Sequence, residues 1–242
     1  SHGLANLGVD VSFIGKIGND EIGAFFENDM KRNKIHPALF YSKNETGRAM
    51  AMVSPDSERT FATYLGAAVE LSDMDISSNI YHGFNYFYIE GYLISNKELF
   101  EKSLRLAKES GLTTCVDLAS YNIVEQFKDS LKPALMEYAD ILFANEEEAK
   151  SLTGKDPEDA LNEMLHFCET AVVKIGEGGS LIGKGDQRYR IPADKVTSKD
   201  TTGAGDLYAS GFLYGLIHDQ PLDVCGKIGT ILAGNVIEII GA

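Results

Sequence analysis

The sequence predicts an α/β protein: a doubly wound, largely parallel sheet with helices on both faces, plus a small antiparallel β lid. Three observations predict it. After Ala67, short β-prone runs alternate with amphipathic helical runs at the spacing of βαβ units, which close as parallel strands with helices packed across them. Between residues 35 and 65 the helical pattern gives way to three short alternating runs separated by turn chemistry. Finally, 242 residues, 44% of them hydrophobic, can bury a core without disulfide or metal staples.

Residues 1–7 read as helix, with Leu4 and Leu7 three apart, and residues 9–15 alternate apolar and polar like a strand. Asp20-Glu21-Ile22-Gly23 opens a helix whose apolar face includes Ile22, Phe25, Phe26 and Met30. A strand and a glycine turn before Ser1 would complete this arrangement, so an N-terminal strand is expected to be missing. The runs 38–41, 48–53 and 60–64, divided by Asn44-Glu45-Thr46-Gly47 and Ser54-Pro55-Asp56-Ser57, read as an antiparallel meander. It is too thin for a core of its own and should lie over a larger domain or against a second copy of itself. The expected division is therefore 1–34 with 67–242 as the α/β domain and 35–66 as the lid.

Strands follow at 86–89, 113–117, 141–144 and 170–175. The segment 97–109 is a helix with Leu99, Phe100, Leu104 and Leu106 on or beside its buried side, and 157–167 is another. Segments 180–183 and 188–191 pair as a hairpin across Lys184-Gly185-Asp186-Gln187, and helices at 205–216 and 222–237 close the chain. In such sheets ligands bind outside the carboxyl ends of the strands.

Thirty-six acidic against 22 basic residues give a net charge of −14, which argues against a nucleic-acid partner but leaves room for a local site for a small anion. Cys115, Cys168 and Cys225 are scattered and suit a reducing compartment better than a disulfide framework or a zinc site. The five histidines show no metal-ligand spacing. No apolar run reaches the roughly 18 to 20 residues that span a bilayer, and residues 1–6 lack signal-peptide features. The expectation is a soluble, cytoplasmic protein with no membrane partner.

The most informative stretch is Asp200-Thr201-Thr202-Gly203-Ala204-Gly205-Asp206, which leads into an apolar helical pattern. Small residues at a helix start let backbone N–H groups converge at the positive end of the helix dipole, a ready anion hole. Asp206 falls in the first turn, where the natural role for an acid beside such a hole is general base for an attacking hydroxyl. Read singly, such a motif merely caps a helix; seven residues of this composition with partners at other strand ends favour chemistry. Asn145 and Glu148, three apart at another helix start, fit a capping box and also a hydrated magnesium, and both can hold together. Lys174-Ile175-Gly176-Glu177-Gly178-Gly179-Ser180 would let a nucleotide approach the backbone closely, or form a tight hairpin turn. Gly178 to Lys184 imitates a P-loop, but Gly185 stands where Ser or Thr is required and the segment reads as strand.

Asp200 to Asp206, followed by Leu207-Tyr208-Ala209-Ser210-Gly211-Phe212-Leu213, resembles the C-terminal signature of the ribokinase-like (PfkB) sugar and nucleoside kinases. Gly15-Lys16-Ile17-Gly18-Asn19-Asp20-Glu21-Ile22-Gly23 resembles their N-terminal signature region, and Asn145 with Glu148 their Asn-x-x-Glu motif. Thr46-Gly47-Arg48, Arg59-Thr60-Phe61, Tyr64-Leu65-Gly66-Ala67-Ala68, Glu90-Gly91-Tyr92 and the segment from Cys225 to Ala242 look most like the adenosine-kinase-like branch. The resemblance implies ATP-dependent phosphorylation of a primary hydroxymethyl on a nucleoside or furanose, with Asp206 as base and Gly203, Ala204 and Gly205 as anion hole. It places Asn145 and Glu148 near magnesium and phosphates, Lys174, Gly176 and Gly178 along the nucleotide, and Asn235 near its base. Arg59 and Glu90 fall to the substrate and lid, and Asp200, Thr202 and Gly241 to a monovalent cation such as K+. The substrate-holding Asp and Gly-Gly-x-x-x-Asn motif that precede this point in the family are absent from the sequence. A sugar kinase for ribose, fructose or a ketohexose derivative is the rival reading, and a non-catalytic sensor of the same fold is a third. The chain is expected to be a monomer or a homodimer formed through its lid.

Overall fold

The computed structural model describes residues 1–53 and 59–239, with all their side chains except those of Ala51, Val53, Arg59, Thr60 and Phe61. The turn expected at Ser54-Pro55-Asp56-Ser57 and the cation ligand Gly241 lie outside the described residues. The chain opens with α1 (His2–Asn6), β1 (Val11–Gly18), α2 (Glu21–Arg32) and β2 (Ile35–Ser42), then the hairpin β3 (Arg48–Val53) and β4 (Arg59–Tyr64). A stretch of short 3-10 turns leads to β5 (Tyr86–Glu90), α3 (Lys97–Glu109), β6 (Thr113–Asp117), α4 (Tyr121–Tyr138), β7 (Ile141–Asn145), α5 (Glu146–Thr153) and α6 (Pro157–Met164). The remainder is β8 (Thr170–Lys174), β9 (Ser180–Lys184), β10 (Gln187–Ile191), α7 (Ala204–Ile217) and α8 (Leu222–Ile237).

β6, β7 and β8, short and mostly apolar runs buried on both faces, form a parallel core, and the aromatic-rich β5 adds a parallel edge strand beside β6. The six-stranded sheet runs β10-β9-β8-β7-β6-β5, with β9 and β10 antiparallel at one edge. Because side chains alternate along each strand, the two faces carry different cores. Ile89, Val116, Leu142, Ala144, Ala171 and Val173 pack under α3, α4, α5 and α6. Cys115, Ile141, Phe143, Val172 and Ile182 pack under α7 and α8. The layered α/β architecture is therefore as the sequence predicts. No sequence expectation covers α4: Val124, Leu131, Ala134 and Leu135 are buried at helical spacing, but Pro133 inside the helix normally reads as a break.

The small β unit departs from the expected meander. β2 pairs in parallel with β1 over all eight residues, Val11 opposite Ile35 to Gly18 opposite Ser42, and only β3 and β4 form an antiparallel pair. The α2 crossover makes a parallel pairing possible where a tight turn would have required an antiparallel one. Met30 is buried and Phe26 packs edge-on against Phe13 at 5.6 Å, but Ile22 and Phe25, expected on the buried face, stay exposed. A sheet of two strands cannot cover the whole apolar side of a helix.

One carboxylate ties these pieces together. Asp20, the N-cap of α2, accepts from the Gly23 N–H at 2.8 Å, and from the Thr46 N–H and hydroxyl at 2.7 Å each. The Thr46 hydroxyl oxygen in turn accepts the Gly18 N–H at 2.9 Å. The end of β1, the start of α2 and the approach to β3 therefore meet at one side chain. Lys16 links this unit to the main domain, donating to the Glu70 carbonyl at 3.1 Å and pairing with Asp75 at 3.0 Å. Hydrogen bonds from Thr46 and Gly23 lower the Asp20 pKa to about 2. Ionised Asp20 therefore stabilises the fold fully above the ordinary aspartate range, and that contribution is lost as pH falls through about 2. We expect hydrogen exchange at the Thr46 amide to stay slow at mildly acidic pH in the wild type and to accelerate in Asp20→Asn at neutral pH; equal protection in the two proteins would contradict the assignment.

Candidate active site

Four strands end on residues of unlike chemistry that share one face. Tyr88 and Glu90 on β5, Cys115 and Asp117 on β6, Phe143 and Asn145 on β7, and Val172 and Lys174 on β8 alternate in step, because the register pairs Glu90 with Asp117 and Asn145 with Lys174. The inner members Cys115, Phe143 and Val172 pack under α7. The terminal members Glu90, Asp117, Asn145 and Lys174 therefore line the carboxyl edge beneath the start of that helix.

The start of α7 leaves its backbone amides open. Gly203 is its N-cap at φ 77°, a left-handed conformation that disfavours residues with a Cβ. Among the described residues no side chain caps this turn, as is also so for α4, α6 and α8, whereas Asn145 caps α5, Asp20 caps α2 and Asn96 caps α3. Ala204 donates to the Thr201 carbonyl at 3.3 Å. A Cβ at Gly205 would stand 3.2 Å from Lys174 Nζ, which puts the ammonium beside the helix start.

Asp206 is the third residue of the helix and is exposed. Loss of surrounding water and, next, the Asp117 carboxylate push its pKa above the ordinary aspartate range, with Lys174 pulling it back. Glu90 is raised by burial, then by Asp206 and Asp117. Asp117 itself pairs with Lys174 at 3.0 Å and accepts from the Tyr88 hydroxyl at 3.1 Å. Asp117 and Tyr88 escaped the sequence reading; the signal was Asp117's place at a strand's carboxyl end, in step with Glu90.

Asn145 and Glu148 form a complete capping box. The Glu148 N–H donates to Asn145 Oδ1 at 2.8 Å, and the Asn145 N–H donates to Glu148 Oε2 at 2.7 Å. Glu148 is buried, which with Asp117 raises its pKa. Among the described residues no cluster of three or more His, Cys, Asp or Glu side chains could hold a metal ion. Gly176 and Gly178 shape the turn between β8 and β9, and Asn235 is exposed on α8. Asp200 is buried and accepts the Thr202 N–H at 2.8 Å. Arg59 begins β4, its side chain outside the described set. No helix among the described residues is long and apolar enough to cross a membrane.

Over residues 1–242 the chain matches the profile of the pfkB family carbohydrate kinases. The chain belongs to the PfkB family. Its structure superimposes on that of a probable sugar kinase from Rhizobium etli with a TM-score of 0.92, at 36% identity, covering 99% of this chain and 75% of the other. Adenosine kinase from Sinorhizobium meliloti gives a TM-score of 0.92 at 34% identity, covering 99% and 76%. An uncharacterised sugar kinase from Archaeoglobus fulgidus is 26% identical over 250 residues, 99% of this chain and 96% of that protein. This PfkB protein is accordingly a phosphotransferase with an alcohol acceptor, in a family that uses ATP.

Two measurements check the geometry. Asn145→Ala removes the acceptor that caps α5 and should lower stability by about 1 kcal/mol in urea unfolding. In carboxyl-detected NMR, Asp206 should titrate above an ordinary aspartate, and Asp117→Asn should bring its midpoint down; an unmoved midpoint would show that the two carboxylates do not interact.

Proposed function

We propose that the protein transfers the γ-phosphoryl group of ATP to a primary hydroxymethyl of a nucleoside, in the manner of an adenosine kinase, with Asp206 as general base. The observation that carries this reading is a carboxylate of raised pKa at the third position of a helix whose first turn no described side chain caps. A base must lose its proton readily at neutral pH yet accept one from an alcohol, and the desolvated, negatively flanked setting of Asp206 moves it in that direction. The amides around Gly203, Ala204 and Gly205 would receive the migrating group at the positive end of α7. Little covalent chemistry is asked of the protein, so rate comes from position and charge.

ATP would lie along the carboxyl edge, its phosphates near Lys174 and the turn of Gly176 and Gly178, with Asn235 towards its base. Glu148 already accepts two hydrogen bonds from Asn145, so this pair suits magnesium held through its water shell rather than by direct ligation. Bound magnesium would neutralise phosphate charge. The Asp200 and Thr202 loop, with Gly241, would hold a monovalent cation such as K+. Glu90 and Arg59 would face the acceptor, Arg59 from the lid.

Tyr64 favours the nucleoside: its ring is 52% exposed on the lid, with the Arg48 guanidinium 5.8 Å from the ring centre, and offers a surface for a base. The 36% identity to a probable sugar kinase favours the rival acceptor, a free furanose such as ribose or fructose or a ketohexose derivative. An ADP-release assay with adenosine, other nucleosides, ribose, fructose and fructose phosphates separates the two. Asp206→Asn should slow turnover with the preferred acceptor by about 10²- to 10⁴-fold while ATP still binds. Turnover that survives this change would remove Asp206 from the role of base.

A further inference from the structure

Asp117 has no role in the reading above, yet it pairs with Lys174, which does. We propose that Asp117 is a positioning residue for phosphoryl transfer: it holds the Lys174 ammonium against Gly205, so that a cation abuts the amides that receive the migrating group. This deepens the kinase reading and rests on it.

A lysine ammonium is a point charge on a flexible four-carbon stem and has no fixed place of its own. Here its place is set. Lys174 leaves the end of β8, crosses above β7 and meets Asp117 Oδ2 at 3.0 Å, its side chain 16% exposed. Asp117 is fixed in turn, only 6% exposed. Its Oδ2 also accepts the Tyr88 hydroxyl at 3.1 Å, and its Oδ1 accepts the Ala119 N–H at 3.0 Å. Three donors on two oxygens leave the carboxylate little freedom.

The backbone beside it is held out of its preferred conformation. Ala119 sits at φ 62°, left-handed for a residue with a Cβ, a strain that persists only where the surroundings over-determine it. That conformation delivers the Ala119 N–H to Asp117. On the other side, Lys174 Nζ lies beside Gly205, 3.2 Å from where a Cβ would stand, so a side chain there would crowd the ammonium. An enclosed ion pair returns little net stability, because desolvation offsets the attraction. What this pair contributes is the location of a charge, with Glu90 and Asp206 as the neighbouring anions.

The test is isothermal titration of the full chain with MgATP and with MgADP, read as the ratio of the two dissociation constants. Wild type should prefer ATP. Lys174→Met should cut that preference about tenfold, the size of one lost charge-assisted hydrogen bond. Asp117→Asn should cut it comparably, and the double variant no further than Lys174→Met alone, because the two act as one device. Lys174→Arg keeps Asp117 and the charge but moves the charge, and should also lose the preference. Wild-type preference in Asp117→Asn or Lys174→Arg, or losses that multiply in the double variant, would overturn the proposal. If wild type binds neither nucleotide, the kinase reading itself falls; if it binds both and the variants behave like wild type, only the role of Asp117 falls.

Discussion

The alternation of side chains along four parallel strands is the constraint on which the rest of this structure depends. Each strand is five residues long, three are buried and β5 forms the edge, and each sends every second residue to the face that α7 covers. Its last residue on that face emerges where the helix begins, and in these strands that residue is polar: Glu90, Asp117, Asn145 or Lys174. A slip of one residue in any pairing would turn its polar end into the opposite core and bring an apolar neighbour to the cleft. The same hydrophobic packing that stabilises the sheet therefore also delivers the chemistry.

A net charge of −14 does not by itself exclude a local anion site at this edge. Global charge acts over distances that salt screens, whereas a ligand in the cleft meets the helix dipole and one nearby ammonium at short range. Near Lys174, Asp117 raises the proton affinity of Asp206, Glu90 and Glu148, and Asp206 that of Glu90. Crowding like charges in a partly dry space is costly for stability and is a common signature of a site tuned for proton transfer.

The small β unit follows a different logic. It has little core of its own, and its order comes from a polar joint at Asp20 and from Ile14 and Phe40 packing on a satellite cluster around Leu71, Tyr81 and Leu99. Met50, Met52 and Tyr64 remain exposed on its hairpin. A hairpin tied at its root by hydrogen bonds, with few apolar anchors, is the kind of element that opens at low free-energy cost relative to the sheet behind it.

Local pattern determined much of this protein. The βαβ spacing after Ala67, the apolar face of α3 and the glycines before Asp206 each express a preference carried within a few residues of chain. The partnership of Asn145 with Glu148 was legible for the same reason, since three residues of helix geometry suffice to define a capping box. Tertiary structure decided what spans long separations. The parallel pairing of β1 with β2 depends on α2 packing across them, and the exposure of Phe25 on how little sheet lies beneath it. Asp117 and Lys174, 57 positions apart, make a contact of 3.0 Å that only strand order and register create. Sequence specifies which side chains lie at the ends of strands; which of them meet depends on the order in which those strands stack, and that is settled by the burial of the whole sheet.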